Sequence, residues 1–163
     1  SDGDSLIDPG WKEYEARYVQ LADKTTGMVR GGVYSAKFDA VFQGGDGQQM
    51  LQHVANLAPN KDYDVTAYVR MTEIDSKGWV GSGLQISAAH SELGATLAGH
   101  VQDVVTSDWK KATFTAAASD QGELWVRANW YGVNSGVCYL DDVTLVDPVK
   151  AAGEFEYQVQ WRE

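Results

Sequence analysis

Alternation of apolar and polar residues with a period of two recurs along this chain, and no window carries a helical stripe over three turns. From Tyr63 the odd positions Tyr63, Val65, Ala67, Val69 and Met71 are mostly apolar, while Asp64, Thr66, Tyr68 and Arg70 lie between them. Such a strand has one core face and one face of polar and aromatic groups. After Glu123 the set Leu124, Val126, Ala128 and Trp130 is apolar, opposite Trp125, Arg127, Asn129 and Tyr131. Leu84, Ile86 and Ala88 mark a third core set, with Gln85 and Ser87 outward. Further strands are predicted at 35–42, 50–54, 109–115 and 138–146.

Turn residues separate these runs at Gly44-Gly45-Asp46-Gly47, Ala58-Pro59-Asn60-Lys61, Asp75-Ser76-Lys77-Gly78 and Asn134-Ser135-Gly136. About eight strands so spaced predict an all-β sandwich of two packed antiparallel sheets. The less regular stretch 87–105 reads as a long loop, or a loop with a short helix, of the kind that frames sites on sandwiches. Past Asp147-Pro148, Phe155, Tyr157, Val159 and Trp161 alternate with Glu154, Glu156, Gln158 and Gln160. We therefore expect a domain over 1–147, and in 148–163 an edge strand or a link toward a neighbouring domain.

The chain has 163 residues and a net charge of −10, so it lacks the clustered cations that nucleic acid or anionic lipid surfaces require. Its length suits one domain with a sizeable core, and 17 Gly, six Trp and eight Tyr lean toward β structure. Cys138 is the single cysteine, which excludes an intrachain disulfide and a multi-cysteine zinc site. In its apolar run it reads as a small core residue. The opening Ser-Asp-Gly-Asp-Ser lacks the regions of a signal peptide, and the chain is expected to be a piece of something longer.

Two blocks carry a resemblance. The stretch from Gln52-His53-Val54 through Leu57-Ala58-Pro59 to Thr66-Ala67-Tyr68-Val69-Arg70 resembles the middle of jelly-roll carbohydrate-binding modules of families four, nine, sixteen and twenty-two. Trp109 through Phe114-Thr115, and Tyr139-Leu140-Asp141-Asp142-Val143-Thr144-Leu145, are similar to their closing half. Leu6-Ile7-Asp8-Pro9-Gly10-Trp11 and Gly32-Val33-Tyr34-Ser35-Ala36-Lys37 resemble their opening, with Asp8 in place of the usual Asn and Lys12 where many members have Glu. The resemblance spans nearly all of 5–147 and implies a β-sandwich jelly roll that binds glycan on a concave sheet.

Sugars are held by aromatic rings against pyranose faces, with amide, guanidinium and carboxylate groups on the hydroxyls. Trp125, Arg127, Asn129 and Tyr131 offer those types on one strand, and Tyr68 and Arg70 on another. The resemblance implies that both strands share the concave sheet and form one platform, which Trp79 and Gln85 would complete. The plainer alternative packs Trp125 under the 87–105 loop and makes Tyr68 an ordinary cross-strand partner. Trp11, Trp109 and Trp130 are assigned to the core.

Asp141 shares strand parity with Val143 and Leu145, so its carboxylate is expected to point inward, where it needs a cation or hydrogen-bond donors. The resemblance implies a structural calcium held by Asp141 and Glu13 with backbone oxygens near Ser35 and Lys37. Backbone N–H groups or a salt bridge are the alternative. For catalysis the chain offers little: His53, His90 and His100 have no metal-site spacing, and neither a nucleophile elbow nor a phosphate loop is present. The Gln-x-His strand of jelly-roll polysaccharide lyases is absent, because Ser87 follows Gln85-Ile86.

The expected function is that of a secreted, monomeric, non-catalytic carbohydrate-binding module that holds a catalytic domain of its parent chain on a polysaccharide. A polysaccharide lyase and a protein-adhesion sandwich are the alternatives. The charge favours neutral β-glucan, xylan or mannan over uronate polymers, with Arg70 and Arg127 as a local exception.

Overall fold

In the computed structural model, residues 11–14, 20–32, 34–39, 48–149 and 157–158 are described. They form eleven strands: β1 Trp11–Tyr14, β2 Gln20–Asp23, β3 Tyr34–Asp39, β4 Gln48–Val54, β5 Asp62–Ser76, β6 Gly83–Ala89, β7 Ala98–Gln102, β8 Lys110–Ala117, β9 Leu124–Tyr131, β10 Val133–Val146 and β11 Tyr157–Gln158. A five-stranded antiparallel sheet has the order β1-β4-β9-β6-β7. A six-stranded antiparallel sheet runs β2-β3-β10-β5-β8, with β11 also on β10. Consecutive strands repeatedly change sheets, as in a jelly roll.

The two sheets bury their inner faces against each other. Leu84, Ile86, Leu124, Val126 and Trp130 come from one, and Phe38, Tyr63, Val65, Val69, Met71 and Leu140 from the other. Period-two alternation predicted these sets, because a strand packed on one side must bury every second residue. Cys138 is fully buried between Phe38 and Met71 of the neighbouring strands, and burial pushes its thiol up, away from reactivity. Trp109 departs from its expected core position. It is half-buried outside the core cluster, just ahead of β8.

Three features differ from the sequence expectations. The stretch 87–105 holds no helix: β6 runs to Ala89 and β7 supplies the edge of the five-stranded sheet. Asn134-Ser135-Gly136 is not a turn but lies within β10, where the register against β5 shifts between Val133 and Ser135. A further shift separates Asp141, opposite Tyr68, from Thr144, opposite Thr66. Asp142 is the extra residue of that bulge and takes φ 48°, a left-handed conformation that Asp tolerates. The bulge reverses parity, so Asp141 faces outward with Tyr139 while Val143 and Leu145 face the core. The turn expected at Gly44–Gly47 lies outside the described residues, as do the side chains of Trp11 and Glu13.

Candidate functional site

Register assigns the outward face of the five-stranded sheet row by row, because residues directly opposite in an antiparallel pair share a face. One row holds Val101 of β7, Gln85 of β6 and Asn129 of β9. The next holds Gly99, Ser87, Arg127 and Leu51 of β4, and a third Ala89, Trp125 and His53. Tyr131, opposite Gly83, ends β9. From Trp125 to Tyr131 the face is about 20 Å long at the usual rise of a strand.

Its two ends differ. At one end His53 stacks on Trp125, with centroids 4.5 Å apart and planes at 17°, and His53 Nε2 lies 3.5 Å from the Glu123 carboxylate. One face of the indole is thereby used within the protein. Beside it, Arg127 is only 7% exposed. It donates from Nη1 to the Gly94 carbonyl at 2.8 Å and from Nη2 to Thr96 Oγ1 at 2.9 Å, with the Glu92 carbonyl at 3.5 Å. Arg127 ties the loop between β6 and β7 down onto the sheet, and burial lowers its pKa.

At the other end the face is open. Trp79, in the loop after β5, is 49% exposed and lies 6.5 Å from the Tyr131 ring at a tilt of 38°, with Lys77 Nζ 4.7 Å over its indole. The loop is pinned from below: the Tyr131 hydroxyl donates to the Val80 carbonyl, and Gln85 Nε2 donates to the Gly81 carbonyl at 2.9 Å. Asn129 Oδ1 is buried there without a hydrogen-bond partner, and Val101 contributes an exposed aliphatic edge. An indole, a phenol and two amides thus lie together at this end of the sheet, with the Tyr131 hydroxyl and the Gln85 amide bonded to the loop that carries Trp79. This is the donor, acceptor and ring inventory that a sugar requires.

Tyr68 and Arg70 do not join this face. β5 belongs to the six-stranded sheet, so both point away from the opposite side of the sandwich. The single platform expected for all eight residues is therefore two separate surfaces. Alternation shows which face of a strand is buried; the jelly-roll crossovers decide which sheet receives the strand, and no local pattern records them.

On that second surface the Asp141 carboxylate, 2% exposed, accepts N–H groups from Arg30 at 2.8 Å and Gly31 at 3.1 Å through Oδ2, and from Asp142 at 2.8 Å through Oδ1. Arg30 also pairs with Asp142 and lies 3.4 Å over the Tyr68 ring. The partners that a buried carboxylate needs are here N–H groups, which repel a cation. Ser35 and Lys37 sit in β3, between β2 and β10, where strand carbonyls are engaged by the ladder. Ser35 Oγ donates to the Met28 carbonyl, and the Lys37 amine lies 3.7 Å from Asp39. Among the described residues no grouping of three His, Cys, Asp or Glu fits a metal, and this arrangement does not fit a calcium held at Asp141.

No protein-family model matches the chain, and no curated protein sequence does. Solved structures do. A family 61 carbohydrate-binding module in complex with β-1,4-galactotriose aligns with TM-score 0.59 at 14% identity, over 88% of this chain and 92% of that one. A family 16 module aligns with TM-score 0.57 at 21% identity, over 87% and 99%. The family 22 module of the Clostridium thermocellum xylanase 10B, solved with its catalytic module and xylohexaose, aligns with TM-score 0.58 at 14% identity, over 96% of this chain and 29% of that one. A cyclase from Fischerella sp. aligns as well, with TM-score 0.58 at 20% identity, over 85% and 84%. The fold is the jelly roll of carbohydrate-binding modules, and the same fold serves a cyclase. Among the described residues no helix is long and apolar enough to cross a membrane.

Proposed function

We propose that this chain is a non-catalytic carbohydrate-binding module that takes up glycan on the open end of its five-stranded sheet. The observation that carries this reading is the half-exposed Trp79 beside Tyr131, with the Asn129 and Gln85 amides on the same face. The ring pair offers an apolar platform beside the Asn129 and Gln85 amides of the same row. Trp125 and Arg127, stacked and tied within the protein, then occupy the other end of the same face. Structural neighbours solved with galactotriose and xylohexaose support a glycan ligand, and the neighbour joined to a xylanase module supports a targeting role. In that role the module acts by proximity, raising the effective concentration of cleavable bonds near an attached secreted enzyme.

Affinity electrophoresis through gels of neutral and acidic polysaccharides tests the proposal. Retardation by one polymer class, lost in Trp79→Ala and kept in an exposed variant far from the face, is the expected result. No retardation on any gel would overturn it in favour of protein adhesion. Each gel is run with calcium and with chelator; retardation that survives the chelator is expected from the Asp141 geometry, and its loss would restore a calcium requirement.

A further inference from the structure

We propose that the outward face of the six-stranded sheet carries a second site, for a carboxylate-bearing sugar, centred on the Arg70 guanidinium. Register places Arg70 directly opposite Tyr139 of β10, and Tyr139 opposite Lys37 of β3. The three form one row across the middle of the sheet. Tyr139 is 8% exposed, and its burial together with the nearby Asp39 charge raises its pKa, whereas the nearby Arg70 charge lowers it. It remains a neutral phenol wall beside the guanidinium.

Arg70 is the unusual member. It is half-buried, its Nε is buried without a hydrogen-bond partner, and no ion pair among the described residues includes it. The acids on this face are engaged or distant: Asp39 lies beside Lys37, Asp142 pairs with Arg30, and Asp141 accepts three N–H groups. Glu73 comes after the register shift at Thr72 and makes no ion pair with Arg70. A guanidinium is a rigid planar fork that matches a carboxylate with two parallel hydrogen bonds, and a half-buried one without an acceptor is the arrangement that such a ligand completes.

The surroundings favour a sugar over a free acid. Tyr139 stands across the strand, Tyr68 is two residues away, and Trp109 enters β8 next to Lys110, the partner of Val69, at the level of Arg70. With the Tyr68 ring already faced by Arg30, the Tyr139 and Trp109 rings at the level of Arg70 supply the apolar contact that a pyranose ring needs. Lys111, exposed opposite Tyr68, adds a rim cation. Because the chain carries net charge −10, an acidic ligand is repelled at long range, so the site works through short bidentate contact. The face lies on the far side of the sandwich from Trp79, and the two sites would let one module touch a neutral and an acidic chain together.

Titration calorimetry of the full chain with trigalacturonate, its methyl ester and triglutamate tests this. The acid is expected to bind, and the ester and the peptide are not. Arg70→Gln should weaken the acid about tenfold or more, Arg70→Lys should lose most of the affinity for want of the fork, and Lys111→Gln should cost about two- to threefold. Trp79→Ala should leave trigalacturonate binding intact, which separates this site from the neutral-glycan reading. Equal binding of acid and ester, equal binding of triglutamate, or wild-type affinity in Arg70→Gln overturns the proposal. If Arg70→Gln fails to fold, unchanged affinity in the exposed Lys111→Gln overturns it instead.

Discussion

His53 and Trp125 face each other across β4 and β9 with ring centroids 4.5 Å apart and planes 17° from parallel. A stacked pair of this kind contributes about 0.5–1.5 kcal/mol beyond its area burial. The neighbouring contact of His53 with Glu123, with both side chains 38% exposed, adds little in water. We expect a double-mutant cycle of His53→Ala and Trp125→Ala, read by urea unfolding, to give a coupling in that range. A coupling indistinguishable from zero would mean that the stack is incidental and that the indole is free for ligand. The same variants should reduce glycan retardation less than Trp79→Ala does.

Arg127→Met keeps the length of the stem and removes every hydrogen bond to the loop between β6 and β7. Bonds from a charged donor contribute about 1.5–3 kcal/mol each when buried, and removing the charge also removes its desolvation cost. The expected net loss is about 2–3 kcal/mol. The telling readout is local: amide exchange and proteolytic nicking at 91–96 should rise well before the sheet opens. Unchanged exchange there would show that Arg127 does not hold the loop.

Much of the architecture was legible from alternation alone. The core sets Leu124, Val126, Ala128, Trp130 and Leu84, Ile86, Ala88 are buried as their period predicted, because a two-layer sandwich enforces that period on every strand. The partition of strands between sheets was not legible, and with it went the shared platform of Trp125 and Tyr68. The fate of Asp141 was hidden for a smaller reason. One bulge residue, Asp142, exchanges the two faces, and the only local trace is a residue type that tolerates positive φ. Arg127 read as a ligand group because its acceptors, the Gly94 carbonyl and the Thr96 hydroxyl, belong to a loop 33 and 31 residues away, and no local pattern on its own strand marks them.

Asp141 gives a pH prediction. Burial raises its carboxyl pKa by more than the N–H bonds from Gly31, Arg30 and Asp142 lower it, and the adjacent Asp142 charge adds to the rise. An acid with a higher pKa in the folded state stabilises the fold fully below its unfolded value of about 3.9, and loses that contribution as pH rises through the folded value. Asp141→Asn cannot ionise and sets an amide N–H against the backbone donors, so it should be less stable throughout. Its deficit relative to the native chain should shrink as pH rises from about 4 into the folded titration. Thermal unfolding across that window checks the sign, and a deficit that widens with pH would show that the N–H bonds outweigh burial.

Gly81 separates binding from stability. Its φ is +77°, and a Cβ there would press on Gln85 Nε2 and come within 3.0 Å of the Tyr131 hydroxyl, the two groups that pin the loop bearing Trp79. Gly81→Ala must therefore adopt a left-handed conformation and displace both pins, at a cost of about 1–3 kcal/mol confined to a loop at the edge of the fold. The core beneath it, with Leu84 and Trp130 fully buried, keeps its contacts. We expect a loss of glycan retardation comparable to that of Trp79→Ala, with the unfolding transition still cooperative and the near-ultraviolet circular dichroism changed at the Trp79 and Tyr131 pair. Retardation equal to the native chain, with the same spectral change, would show that ligand does not use these rings and would move the glycan site away from the open end of the sheet.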